Sequence, residues 1–71
     1  MKLNYSKLLG RIKECGFTQK SLAESIRISN STLSAKLNNK NAFTVIEMAN
    51  ICRALNISKQ EIGEYFFAEK V

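Results

Sequence analysis

The stretch FTQKSLAESIRISNSTLSAKL, Phe17–Leu37, decides the fold. Leu22, Ala23 and Ile26 recur at helical spacing, and Leu33 and Leu37 stand one helical turn apart. Only Arg27 and Ile28 separate Ile26 from Ser29, the first of four polar residues that open the second run. A connection this short makes the two helices cross steeply. Ala23 falls where the second helix must come close, and a larger side chain there would push the pair apart. Leu22, Ile26, Ile28 and Leu33 form an apolar underside, which leaves Ser29, Asn30, Ser31 and Thr32 on a polar upper face.

The local signal that starts these helices recurs along the chain. An apolar residue is followed by Asn, Ser or Thr, with another apolar residue four positions after the polar one. The instances are Leu3-Asn4 with Leu8, Phe17-Thr18 with Leu22, Ile28-Ser29 with Leu33, Phe43-Thr44 with Met48, and Ile57-Ser58 with Ile62. This is a hydrophobic staple around an N-cap: the polar oxygen accepts an orphaned first-turn N–H, and the apolar pair fixes how the chain enters the helix. Thr44 with Glu47 and Ser58 with Glu61 add the acid of a capping box.

Helices are therefore predicted over about 4–14, 18–26, 29–38, 44–55 and 58–68, with Gly16 ending the first and Asn38-Asn39-Lys40-Asn41 following the third. Leu8, Leu9 and Ile12, with Cys15 nearby, are expected inside. Val45, Met48, Ala49, Cys52 and Leu55 stripe the fourth helix, widened by Ile46 and Ile51, while Ile62 and Phe66 face inward on the fifth. The expected class is all-α, and 71 residues bound it to one domain, 1–71.

The net charge of +5 is uneven. Residues 1–19 carry +3 and residues 20–41 another +3, whereas 42–57 are neutral and 58–71 carry −1. A basic first half suits a polyanionic partner, or is a solvated basic surface with none. Cys15 and Cys52 read as small core thiols of a reducing compartment. With no His and no CxxC, neither a metal nor another cofactor is expected, and no nucleophile–base pair points to an enzyme or a small-molecule substrate. No signal peptide or membrane-length apolar run is present, so a cytoplasmic protein without a membrane partner is expected.

Gln19, Ala23, Ile28 and Leu33 in QKSLAESIRISNSTL, followed by KLNNK, resemble the helix-turn-helix of the phage repressor and Cro type (lambda-repressor-like) family. FTVIEMANICRALNISKQEIGEYF resembles that family's closing pair of helices, so the likeness spans about residues 5–67. It implies a compact five-helix DNA-binding domain with helices 2 and 3 as the helix-turn-helix. It also implies a phage or prophage transcriptional regulator that reads duplex DNA sequence-specifically.

By position, Asn30, Ser31, Ser34 and Ala35 would touch base edges in the major groove. Gln19, Lys20, Thr32, Lys36, Asn38, Asn39 and Lys40 would contact phosphates, giving affinity and register. The competing reading of Ser29–Ser34 is a solvated helix face, and that of Asn38–Lys40 a C-terminal turn. The resemblance departs at Arg27, where the family commonly has a left-handed glycine; a non-Gly residue there costs roughly 1 kcal/mol. Tyr65 and Phe67 either cover the edge of a small core or make a homodimer contact, which would suit a palindromic operator. The rival function is a protein-binding module on the same fold, such as an antirepressor, antitoxin or adaptor.

Overall fold

The computed structural model describes residues 2–69. Five α-helices follow one another: α1 Ser6–Glu14, α2 Gln19–Ser25, α3 Asn30–Leu37, α4 Val45–Leu55 and α5 Ile62–Phe66. A single 3₁₀ turn, Lys59–Glu61, leads into α5. The all-α class expected from the sequence is the class observed.

Each start has a local cause. Thr18, Ser29 and Thr44 accept the backbone N–H of Ser21, Thr32 and Glu47 at 3.0, 3.0 and 3.1 Å. The Glu47 carboxylate closes its capping box on the Thr44 N–H at 2.8 Å. Two starts differ from expectation. Asn4 accepts the Ser6 N–H at 2.9 Å, so α1 begins two residues late, after an Asx turn rather than an N-cap. Ser58 is engaged by Glu61, whose carboxylate accepts its N–H at 3.1 Å and its hydroxyl at 3.0 Å. The chain tightens there into a 3₁₀ turn, and α5 proper is only Ile62–Phe66 instead of reaching from 58 to 68.

The helix ends share one device. Gly16, Arg27, Asn39 and Asn56 follow α1, α2, α3 and α4 with φ of 80°, 63°, 64° and 56°. After α1, α2 and α3 the next two N–H groups turn back to close the last carbonyls. In the α2–α3 turn, Ile28 N–H reaches Ala23 O at 3.0 Å and Arg27 N–H reaches Glu24 O at 3.2 Å. Gly and Asn adopt this left-handed backbone readily, whereas Arg27 does so at a cost of roughly 1 kcal/mol from its Cβ. The departure at Arg27 therefore leaves the turn intact, and the strain is borne. Arg27→Gly is expected to stabilise the fold by about 0.5–1 kcal/mol, since lost strain is offset in part by glycine's unfolded-state entropy. An unchanged or lower thermal midpoint would show that the Arg27 side chain compensates for its backbone.

The core forms from every helix. Leu8, Leu22, Leu33, Ile51 and Leu55 are completely buried, joined by Phe66, Ala23 and Ile12. Phe43 bridges Tyr5 and Phe66, its ring edge-on to both at 5.5 and 5.4 Å between centroids. Arg11 bonds the last carbonyl of α4 and the one after it, Nε to Leu55 O at 3.0 Å and a terminal nitrogen to Asn56 O at 3.3 Å.

Several apolar residues expected inside are outside. On α1 the buried row is Leu8 and Ile12, continued by Tyr5 just before the helix; Leu9, turned about 100° from Leu8, is exposed. Cys15, expected in the core, is also exposed, while Cys52 is buried; both thiols are free. Burial pushes the Cys52 thiol up, which keeps it protonated and unreactive. On α4 the inward row is Met48, Ile51, Cys52 and Leu55, with Met48 only half-buried. The core thus begins at the second turn of α4. Val45 in the first turn is 77% exposed; Ile46, about 140° round from Ile51, is 73% exposed. Ala49 is exposed beside them.

Candidate interaction face

The α2–α3 pair presents its polar side with both helix starts held by side-chain caps. Gln19, the first residue of α2, donates from Nε2 to Asn30 Oδ1 at 2.9 Å. Asn30 is the first residue of α3, so this bond ties the two N-termini together across the turn. It fixes the Asn30 amide plane and leaves the Nδ2 donors without a partner among the described residues. Around it the hydroxyls of Ser29, Ser31 and Thr32 form one cluster, Ser29 to Thr32 at 2.7 Å and Ser29 to Ser31 at 3.2 Å.

The residues predicted to touch bases are brought together unequally. Asn30 and Ser31 are exposed, while Ser34 and Ala35, one turn on, are half-buried. Ser34 also receives the Asn38 side chain, whose Nδ2 donates to its carbonyl at 2.8 Å. Exposed Thr32 has its hydroxyl engaged by Ser29.

The predicted phosphate contacts divide sharply. Lys20 and Lys40 are exposed and in no ion pair among the described residues. Lys36 is not available: it is buried, with Nζ 2.9 Å from Glu47 Oε1 and donating to Ala42 O at 2.9 Å. A charge buried this far needs an opposite charge and an acceptor; Glu47 in the first turn of α4 supplies one and the Ala42 carbonyl in the α3–α4 connection the other. Asn39 is likewise structural, its amide clamping the Leu3 N–H at 2.8 Å and the Leu3 carbonyl at 2.9 Å. The dimer expectation narrows too. Tyr65 is 7% exposed and packs under Lys7, whose ammonium sits 4.9 Å from the ring centroid. Phe67, at 56% exposed, is the one of the pair that stands in solvent.

Asn50, Arg53 and Ala54 of α4, to which the sequence assigns no role, lie across from Arg27 of the α2–α3 turn. An open cleft of about 270 Å³ runs between the end of α2 and α4, lined by Ser25, Ile26, Arg27, Asn50, Arg53 and Ala54. Arg27 and Arg53 therefore flank one space. The signal for the exposed start of α4 was present: a seven-residue apolar stripe is wider than one helix face can bury. No helix among the described residues is long and apolar enough to cross a membrane.

Residues 1–69 match the family described as "Protein of unknown function (DUF739)". The chain belongs to this family. No match arises among proteins with curated descriptions. Among solved structures, the chain is similar to the modulator of repression (MOR) of the temperate bacteriophage TP901-1 from Lactococcus lactis, determined in solution. The two are 38% identical, the likeness covers 100% of this chain and 96% of that chain, and the TM-score is 0.82. What is shown is thus the DUF739 family and a likeness to a phage modulator of repression; membership of the repressor and Cro family, expected from the sequence, is not shown.

Proposed function

We propose that this chain is a phage or prophage regulator that modulates repression by docking on a repressor protein. The observation that carries the reading is the full-length likeness, at 38% identity, to a modulator of repression. The geometry favours a protein partner over duplex DNA in two respects. Of the predicted phosphate contacts, Lys36 and Asn39 hold the fold together instead. The first turn of α4 exposes Val45 and Ile46, which suit an apolar partner better than a phosphate backbone.

Direct DNA reading is the second function, favoured by the Gln19–Asn30 bond. An asparagine held in one orientation at the start of α3 is preorganised to pair with adenine. One experiment separates the two: gel-shift titration of the repressor's operator with repressor alone, with this chain alone, and with both. On the docking reading, the chain alone forms no salt-resistant complex with any duplex, and it changes the repressor's affinity for the operator. Sequence-selective binding by the chain alone, relaxed by Asn30→Ala and with no effect on the repressor, would establish the DNA reading in its place.

A further inference from the structure

The outer side of α4 is unexplained by the fold. Val45 and Ile46 stand bare in its first turn, where β-branched residues favour neither the helix nor solubility. Ala49 lies one turn along on the same side, and Arg53 two turns from Ile46, about 10 Å away at helical rise. Across the cleft from Arg53 stands Arg27, on the strained backbone of the α2–α3 turn. Neither guanidinium has an acidic partner among the described residues; Arg53 bonds only the Asn50 amide oxygen, at 3.5 Å. Two like charges facing one small cleft repel until an anion enters it.

Three kinds of partner are conceivable, and the chemistry separates them. A second copy is a poor complement, since the chain carries +5 and, of its six carboxylates, Glu14, Glu47 and Glu64 are in ion pairs and Glu61 holds Ser58, which leaves only Glu24 and Glu69, far apart in sequence, to answer two arginines. Duplex DNA would satisfy the arginines but offers little for Val45 and Ile46. A protein segment with apolar side chains followed by carboxylates satisfies both ends at once. An arginine fork receives a carboxylate bidentately, and the cleft holds two of them.

We propose that the outer side of α4, completed by Arg27, is the docking site for an acidic amphipathic segment of the repressor. Its apolar side chains cover Val45 and Ile46, and its carboxylates lie between Arg27 and Arg53 about 10 Å further along. This rests on the docking reading and specifies its surface. The apolar end supplies most of the affinity, while the arginines set orientation and association rate.

The test is calorimetric titration of the full chain into the purified full-length repressor of the same phage or prophage, at low and high salt. The variants are Ile46→Ser, Arg53→Ser and Arg27→Gly. All three positions are exposed, so Ile46→Ser and Arg53→Ser should keep the parent's thermal midpoint, and Arg27→Gly should raise it by relieving backbone strain. Ile46→Ser is expected to weaken binding by about 30-fold or more, the loss typical of an apolar anchor. Arg53→Ser and Arg27→Gly are each expected to cost about tenfold at low salt and to flatten the salt dependence. If the parent binds and all three variants bind equally well, this surface is wrong while the docking reading stands. If the parent does not bind at all, both fall. Loss of duplex-DNA affinity in the arginine variants, with repressor binding unchanged, would make the cleft a phosphate contact and overturn the proposal. A parent that sediments as a dimer, made monomeric by Ile46→Ser, would assign the surface to a second copy.

Discussion

Phe66→Ala is expected to remove about 3–5 kcal/mol of stability, the usual cost of truncating a fully buried phenylalanine. A domain of 71 residues holds only roughly 4–10 kcal/mol in all, so the variant should be partly unfolded at physiological temperature. Two effects add. Phe66 is 1% exposed and anchors a helix of only five residues, too short to persist without its packing. Its ring also ends the edge-on row Tyr5–Phe43–Phe66, so Phe43 loses a partner and the connection before α4 loosens. The control is Phe67→Ala next door, which should change stability by less than about 0.5 kcal/mol because that ring is in solvent. Urea unfolding followed by circular dichroism measures both. A larger loss at Phe67 than at Phe66 would mean that α5 sits one residue out of register.

How much of this was legible in the sequence depended on whether a feature is local. Caps at Thr18, Ser29 and Thr44 need only the four residues around them, and helices start there as the pattern says. The short turn after Ile26 is equally local, and so is the tolerance of Asn39 and Asn56 for left-handed backbone. The misreadings concern which side of a helix meets the core. α4 carries apolar residues around most of its first turn, and periodicity alone does not say where the neighbouring helices begin to cover it. Leu9 and Cys15 were misplaced for the same reason.

The candidate site was legible in part. Asn30 and Ser31 are exposed at the start of α3, as expected. Gln19 lies beside them, but it holds Asn30 rather than standing free. The Lys36 side chain could not be placed from sequence, because its destination depends on Glu47 being eleven residues away along the chain yet adjacent in space. The Arg27–Arg53 cleft joins two segments still further apart in sequence and leaves no local mark.

Glu47 is where the second large effect is expected. Its carboxylate serves two groups at once, the Thr44 N–H of the capping box and the buried Lys36 ammonium, while its own backbone N–H is capped by the Thr44 hydroxyl. Burial pushes the Glu47 carboxyl up. The Thr44 backbone bond, the Lys36 ammonium and the Thr44 hydroxyl outweigh it and hold the group below its ordinary 4.5. Glu61 is also held low, chiefly by the Ser58 N–H and hydroxyl. A carboxyl lowered by folding contributes stability that is complete above its unfolded value and is lost as pH falls through the folded one. Stability should therefore be flat near neutrality and fall below about pH 4.5.

Glu47→Ala at pH 7 removes the carboxylate paired with Lys36 and leaves the ammonium with the Ala42 carbonyl. Stranding one partner of a buried pair costs about 3–5 kcal/mol; the lower end is expected here, because Lys36 is long enough to reach water by moving. The double variant Lys36→Met, Glu47→Gln removes both charges and lets glutamine keep the Thr44 cap. It should return to within about 1 kcal/mol of the parent, since a buried pair and an apolar replacement are often equivalent. It should also lose the part of the acid dependence that belongs to Glu47. Urea unfolding of the parent, single and double variants at pH 7 and pH 3 gives all of these quantities. A double variant no more stable than Glu47→Ala would mean that the loss does not come from stranding the Lys36 ammonium. A recovered double variant that still docks on the repressor would show that this pair only braces the first turn of α4, from which Val45 and Ile46 project.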